Sequence, residues 1–158
     1  MTVRLTMEIV PTSCWYSNLR DHLTRAQWDL VRKDVYRKAN FRCEICGGAG
    51  DRWPVECHEI WQYDDEARVQ SLRGLVALCP SCHQVKHFVL ATSQGFEMKA
   101  LRHLCRVNGW DLLQGRVYAD EQLALYQLRS SFDWELDMTW IEQAYGIRVD
   151  VHRKKMYR

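Results

Sequence analysis

Cys43-Glu-Ile-Cys46 and its counterpart Cys79-Pro-Ser-Cys82, which are separated by 32 residues, give the strongest structural signal in this chain. Each Cys-x-x-Cys pair fits a tight turn that directs both sulfurs to one side, so two pairs can surround one ion. Four thiolates favour zinc, in a tetrahedral site with bonds of about 2.3 Å. Two unrelated redox motifs are the less favoured alternative, because neither pair opens a helix in a clear strand-helix-strand context. The sequence therefore predicts that these four cysteines form a structural zinc site.

Composition sets the broad class of the protein. The 158 residues include seven cysteines and carry a net charge of +2, which is too small to identify a partner. The first ten residues lack the apolar run of a signal peptide. No segment approaches the roughly 18 to 20 apolar residues of a membrane span. Seven cysteines without a signal peptide indicate a reducing compartment, in which thiols bind metal rather than form disulfides. Together with the lack of an apolar span, this predicts a soluble, cytoplasmic metalloprotein with no membrane contact.

The first predicted segment, residues 1–40, contains a strand and a basic helix. Apolar residues alternate over residues 2–10 with the period of a half-buried strand, which Pro11 ends. Thr24 is expected to cap a helix that runs to about Ala39. Seven basic residues against three acidic residues lie between Arg20 and Arg42, a balance that suits a phosphate backbone. Ordinary ion pairs on a solvated helix face explain these charges equally well.

The second predicted segment, residues 41–90, is the metal-binding core. Strands are expected at about 55–62 and 74–78, followed by a helix that begins near Pro80 and carries His83 and His87. A spacing of four residues places both imidazoles on one helical face, as binding of a single divalent metal requires. His58 lies on the preceding hairpin, which the zinc site is expected to fold back against this helix. A structural role is the more common one for any single histidine, but the three together indicate a site.

The third predicted segment, residues 91–158, is a mainly helical extension. Helices are expected at about 97–106 and 120–129, then an extended run at 134–140 and a basic tail at 151–158. Between Asp120 and Glu142, six acidic residues stand against the single Arg129, so this part would not lie on DNA. It is expected either to face a protein partner or a second copy of the chain, or to be an ordinary solvated surface.

The core segment resembles the HNH endonucleases over about residues 41–90. The resemblance is carried by the first Cys-x-x-Cys pair, by His58 in an extended segment, and by Leu75-Val-Ala-Leu-Cys-Pro-Ser-Cys-His-Gln-Val-Lys-His87. Many members of this family combine a ββα-metal fold with a four-cysteine zinc site. The resemblance implies an α+β protein with a ββα-metal core, an N-terminal strand and helix, and a helical C-terminal extension. It further implies a nuclease that hydrolyses phosphodiester bonds with one divalent metal.

The resemblance also assigns a role to each histidine. His58 matches the general base that activates water, and His83 and His87 match ligands of the catalytic metal. An imidazole can accept a proton at neutral pH. A divalent ion such as Mg²⁺, Mn²⁺ or Ni²⁺ can polarise the scissile phosphate and neutralise the leaving oxygen. Double-stranded DNA is the expected substrate, and the expected backbone contacts are Lys86, Arg42 and Lys38.

Two positions depart from the family pattern. Cys57 stands where the family has a metal-binding Asp or His, and a thiolate prefers zinc to magnesium. Glu59 shares the strand face of Cys57 and Glu56 shares the face of His58, and either carboxylate is a candidate to replace the missing ligand. Gly74 stands where the family has an Asn that orients the base, which leaves a backbone carbonyl or Glu56 to orient His58, or leaves the base loose. These departures favour an alternative, in which a catalytically degenerate, zinc-stabilised module binds nucleic acid or protein.

Overall fold

A computed structural model describes residues 2–15 and 17–150. The basic tail expected at 151–158 lies outside the described residues. Within them the chain forms six α-helices, two short 3-10 helices and one three-stranded sheet, so helices and strands are mixed as expected. None of the helices in these ranges has the length and apolar character that crossing a membrane requires.

The elements follow one another in a simple order. The helices are α1 (Arg25–Lys38), α2 (Pro80–Lys86), α3 (Phe88–Ser93), α4 (Glu97–Asn108), α5 (Leu112–Ser130) and α6 (Thr139–Tyr145). The strands are β1 (Glu56–Asp64), β2 (Val69–Leu78) and β3 (Glu135–Asp137), and the 3-10 helices are Thr12–Cys14 and Leu19–His22. β1 and β2 form an antiparallel hairpin, and β3 adds to β2 in parallel, which gives the order β1-β2-β3. The hairpin leads directly into α2.

The segment 2–10 does not form the strand that its alternation predicts. Leu5, Met7 and Ile9 are buried as expected, but the segment belongs to no sheet. Its amides donate instead to side chains of the C-terminal helices: the Leu5 amide lies 3.1 Å from Asn108 Oδ1, and the Met7 amide 3.1 Å from Tyr118 Oη. A period of two indicates only an extended chain with one buried face. Here α4 and α5 supply the partners, so the prediction of a strand is wrong.

Helix α1 begins where its sequence signal places it. Thr24 Oγ1 accepts from the Gln27 amide at 3.1 Å, and Gln27 Oε1 accepts from the Thr24 amide at 2.9 Å. This reciprocal capping box satisfies two amides that a helix start leaves unpaired. Val31 and Val35 are buried on the inner face of the helix. The cap and the apolar stripe are both local signals, and the helix prediction is confirmed.

Helix α5 begins well before the predicted start at Asp120. Asp111 and Gln114 form a second capping box, which starts the helix at Leu112. Gly115 lies near the start of this helix, and because glycine disfavours helices it weakened the sequence signal for a helix there. The structure requires this glycine, because a Cβ at that position would overlap Cys105 Sγ. Close packing of α5 on α4 therefore overrides local helix propensity.

One large buried cluster draws on all three predicted segments. It combines apolar residues of the N-terminal segment with α2, α3, α4 and α5, and three of the zinc-motif cysteines lie inside it. These three cysteines, Cys43, Cys79 and Cys82, are at most 5% exposed. The N-terminal segment and the C-terminal helices thus close over the cysteine motif, which places the sulfurs in the interior of the protein.

Candidate functional site

Two groups of side chains stand out as potential metal sites. Among the described residues, each group brings its ligand atoms within 4.8 Å of one another. The cysteine cluster consists of Cys43, Cys46, Cys79 and Cys82, and the histidine cluster consists of His58, His83 and His87. The structure therefore brings together the four predicted zinc ligands and, separately, the three predicted site histidines.

The cysteine cluster has the dimensions of a tetrahedral thiolate site. Cys46 Sγ and Cys79 Sγ are 3.6 Å apart. Bonds of about 2.3 Å to one zinc ion would place the sulfurs about 3.8 Å apart. Backbone amides point at the sulfurs, with the Cys46 amide 3.5 Å from Cys43 Sγ and the Cys82 amide 3.4 Å from Cys79 Sγ. The four cysteines lie as close together as a zinc site requires.

Local sequence explains how the two halves of the cysteine cluster are held. The first pair lies in a turn in which Gly47 adopts a φ of +76°, a conformation that glycine reaches without strain. Glu44 ties this turn to β2: its amide donates to the Ala77 carbonyl at 2.9 Å, and its carboxylate accepts from the Ala77 amide at 2.7 Å. In the second pair, Cys79 caps α2 and Pro80 occupies the first turn. The cluster thus joins the turn at 43–48 to the junction of β2 and α2.

The thiols of the cysteine cluster differ in their tendency to ionise. The hydrogen bond with Cys82 lowers the pKa of Cys43 to about 4. Burial raises the pKa of Cys79 to about 11, and the hydrogen bond to Cys43 is the main cause of a raised pKa at Cys82. Sulfurs at this separation resist joint ionisation, because their charges repel one another. A divalent cation held by the four sulfurs would offset that repulsion and favour loss of the remaining thiol protons.

A histidine outside both motifs supports the cysteine cluster. Arg106 Nη2 lies 2.7 Å from His103 Nδ1. Because a guanidinium only donates, Nδ1 is the acceptor and the ring proton sits on Nε2. That Nε2 lies 3.1 Å from Cys82 Sγ and donates to it. A donor of this kind orients a thiolate and reduces its charge. Sequence reasoning missed His103, since nothing local distinguishes it from a core residue of α4.

The histidine cluster brings three imidazoles edge to face. The ring centroids are 5.2 Å apart for His58 and His83, 5.1 Å for His58 and His87, and 4.7 Å for His83 and His87. The Nε2 atoms of His83 and His87 are 3.1 Å apart. Metal–nitrogen bonds of about 2.0 to 2.1 Å in a tetrahedral site would separate two ligand nitrogens by about 3.3 Å. The rings therefore fit ligation of one ion.

His87 lies just beyond the end of α2 and not inside the helix. Helix α2 ends at Lys86, and His87 joins it to α3 with φ −98° and ψ 47°, outside helical geometry. The expected helix therefore ends one residue short of His87, but the His87 amide still donates to the His83 carbonyl at 3.2 Å and the two imidazoles meet as expected. His87 is exposed as a residue, but its Nε2 faces His83. Desolvation, followed by the charge of His83, lowers the pKa of His87 to about 4.

Glu56 orients His83 within the cluster. Its Oε2 lies 2.8 Å from His83 Nδ1, and this hydrogen bond is the main cause of a lowered pKa at Glu56. With Nδ1 engaged by the carboxylate, the Nε2 of His83 faces the other imidazoles. Carboxylate–histidine pairs of this kind accompany most histidine metal ligands. The position fits a ligand whose tautomer the protein selects in advance.

His58 is the innermost member of the histidine cluster. The residue is 2% exposed, and neither ring nitrogen has a hydrogen-bond partner among the described residues. Burial, followed by the charges of His87 and His83, holds its pKa well below the usual value, so the ring is neutral. A buried polar atom without a partner costs about 1 to 3 kcal/mol. This ring is therefore suited either to complete a set of three imidazole ligands or to accept a proton from water.

The structure separates Cys57 and Glu59 from the histidine cluster. Cys57 packs in an apolar cluster with Val35 and Ala77, and burial raises its pKa to about 12. Glu59 accepts from the Leu19 amide at 3.0 Å, and its pKa is raised by burial. The cause is strand alternation, which turns positions 57 and 59 away from the face that carries position 58. Neither residue joins the ligand set for which it was a candidate.

The remaining predicted site residues contribute no ligand atoms to the histidine cluster. Gly74 pairs with Ile60 on the neighbouring strand and provides no side chain that could orient His58. Lys86 Nζ donates to Thr6 Oγ1 at 2.8 Å, and desolvation lowers its pKa. Lys38 and Arg42, the other two predicted backbone contacts, are both exposed. Lys38 forms a salt bridge of 2.8 Å with Asp34, and Arg42 follows α1.

Comparison of the chain with protein-family models, with curated proteins and with solved structures finds no match. The functional interpretation therefore depends on the geometry of the two clusters and on the residues around them.

Proposed function

We propose that the chain is a zinc-stabilised, metal-dependent endonuclease of the HNH type that hydrolyses phosphodiester bonds of DNA. The observation that carries this proposal is the convergence of His58, His83 and His87 on a hairpin–helix unit. The cysteine cluster supports the same reading, because it joins the start of that unit to its helix. We assign the ββα-metal fold to residues 41–90 as part of the proposal.

Each side chain of the site has its own role in the proposed hydrolysis. Glu56 holds the His83 ring so that His83 and His87 present nitrogens to one ion. A divalent ion such as Mg²⁺, Mn²⁺ or Ni²⁺ supplies charge that polarises the phosphate and neutralises the leaving 3′ oxygen. His58 acts as general base: it takes a proton from water as the water oxygen bonds to phosphorus and the bond to the 3′ oxygen breaks. Burial suits His58 to this role by keeping the ring unprotonated at neutral pH.

Nicking of supercoiled plasmid in Mg²⁺, Mn²⁺ and Ni²⁺ tests the proposal. Loss of a general base typically slows a reaction by about 10²- to 10⁴-fold, so His58→Ala should lose nicking by at least about 10²-fold. His22→Ala is the matched control, since His22 bonds Ser17 at 2.7 Å outside the cluster and should nick normally. Equal nicking by His58→Ala and the wild type would remove His58 from the mechanism.

Metal titration of His58→Ala distinguishes the two possible roles of His58, general base or third metal ligand. If His58 is the base, calorimetry with Ni²⁺ should give unchanged affinity at His83 and His87. A large loss of affinity would instead make His58 the third ligand, and the proton of the attacking water would need another acceptor.

A second candidate function is a zinc-stabilised module that binds nucleic acid or protein without catalysis. The observation that favours it is the lack of any described hydrogen bond that holds the His58 ring, together with Gly74 at the position expected to orient the base. Elemental analysis and nicking assays distinguish the two candidates. One zinc per chain, no second metal and no nicking with any of the three metals would select the binding module.

A further inference from the structure

A groove of about 650 Å³ between α1 and β1 leads to the histidine cluster. One end lies at the N-terminus of α1 and the preceding 3-10 helix, and the other end reaches Glu56 and His83. The groove is distinct from the surface of Lys86, Arg42 and Lys38, because none of those residues lines it. Its volume is that of an ordinary ligand site.

Positive charge dominates the outer part of the groove. Arg20, Arg25 and Arg32 line it, with Asp29 and Glu56 as the acidic residues. Asp29 is engaged by Arg32 at 2.8 Å, and Glu56 is engaged by His83. Arg20 and Arg25 are exposed, and neither forms a salt bridge with another described residue. The two acids are thus already paired, and two guanidinium groups remain for an anionic ligand.

The position of Arg25 is costly for the helix that carries it. Arg25 is the first residue of α1, and the first turn contains no acidic residue. A cation at a helix N-terminus opposes the helix dipole, at a cost of a few tenths of a kcal/mol. A phosphate bound between the arginines would reverse this unfavourable arrangement, because it would interact favourably with both the guanidinium groups and the dipole.

We infer that this groove binds the sugar–phosphate backbone of the nucleic-acid strand beside the scissile bond, with Arg20 and Arg25 as its phosphate contacts. The inference rests on the proposed nuclease function and identifies where that function takes its substrate. Guanidinium groups bind phosphate through paired hydrogen bonds. Trp28 and Tyr36 line the same groove and provide aromatic surface of the kind that contacts sugars and bases. The inner end delivers the strand to His83.

Binding of labelled DNA by fluorescence anisotropy tests the inference without cleavage. The background is His58→Ala in buffer without added divalent metal, because His58 does not line the groove. Adding Arg20→Ala and Arg25→Ala should weaken binding of duplex or single-stranded DNA at least about tenfold at low salt. It should also reduce the slope of log affinity against log salt by about 1.4 to 1.8, as expected for two lost phosphate contacts.

The matched control replaces two arginines elsewhere on the surface. Arg73→Ala with Arg102→Ala removes the same charge from exposed positions outside the groove and should leave affinity nearly unchanged. Circular dichroism melting verifies that both double variants are folded. Equal loss in the two double variants, or no loss in either, would overturn the inference. Displacement of DNA by polyglutamate of matched charge would also overturn it, because the groove would then accept any polyanion.

The outcome is independent of the nicking result. Binding is measured on a variant that lacks the proposed base, so failure of the groove variants leaves the nuclease proposal standing. Conversely, a chain that never nicks DNA can still lose binding when Arg20 and Arg25 are replaced, which would place nucleic acid in the groove of a binding module.

Discussion

The cysteine cluster and the histidine cluster share helix α2 but are built differently. Cys79 and Cys82 lie at its start, where they meet the turn at 43–48 that carries the other two cysteines, and backbone amides point at the sulfurs. His83 lies further along the helix, His87 follows its last residue, and His58 lies on β1, where Glu56 orients His83. Three of the cysteines are buried and the fourth is partly buried, whereas the histidines range from buried to exposed. The cysteine cluster offers four protein ligands, whereas the histidine cluster offers three.

This difference fits the proposed division between a structural zinc site and a catalytic metal site. Structural zinc sites are closed by four protein ligands, whereas catalytic sites keep a position open for water or substrate. Thiolates favour zinc, while imidazoles favour ions such as Zn²⁺ and Ni²⁺ over Mg²⁺. Of the three catalytic metals considered, Ni²⁺ therefore matches the histidine cluster best. Variants that affect one cluster and leave the other intact test the separation directly.

The largest effect is expected from Cys82→Ser. Zinc binding to small zinc domains contributes roughly 10 to 16 kcal/mol, as much as the whole stability of a typical domain. The variant should therefore lose zinc, measured by elemental analysis, and its cooperative thermal unfolding. Cys14→Ser is the control, since Cys14 is 3% exposed but lies outside the cluster. The idea of a structural cluster fails if Cys82→Ser melts like the wild type.

An intermediate effect is expected from Glu56→Gln. Loss of the carboxylate that orients His83 should weaken Ni²⁺ binding at the histidine cluster by about 10- to 100-fold while zinc content stays unchanged. Calorimetry measures the affinity. Glu59→Gln is the matched control on the opposite face of the same strand and should bind Ni²⁺ normally. A loss of Ni²⁺ affinity in Glu59→Gln would show that the two faces have been assigned incorrectly.

The smallest effect is expected from His103→Leu, which removes the donor to Cys82 Sγ. The zinc should remain bound but transfer to a chromogenic chelator about tenfold faster. His103→Gln supplies a side-chain amide and should recover much of the difference. Equal release from the leucine variant and the wild type would limit His103 to a packing role.

Local signals account for the parts of the fold that the sequence predicted well. Helix α1 follows from a capping box and an apolar stripe, and the hairpin and α2 follow from strand patterns and from Pro80. Proximity of the four cysteines follows from their spacing. Each of these features depends on residues that are neighbours along the chain or that share one ion.

Long-range partners account for the predictions that were wrong. The segment 2–10 finds its hydrogen bonds on α4 and α5 more than 100 residues away, so an alternating pattern was read as a strand. Glu59 likewise finds its partner 40 residues away, at the Leu19 amide, and not in the histidine cluster. The groove at Arg20 and Arg25 joins the N-terminal segment to the hairpin, a contact that no local pattern indicates.

Spacing and periodicity, which act over a few residues, were enough to predict the four-cysteine motif, the hairpin followed by a helix, three candidate histidines, and a carboxylate, Glu56, on the face of His58. The packed structure was needed to show that Glu56 bonds His83, that His103 supports the thiolates, and that a basic groove meets the histidines. These contacts depend on how distant segments pack, and packing is set by the whole core rather than by any single stretch of chain.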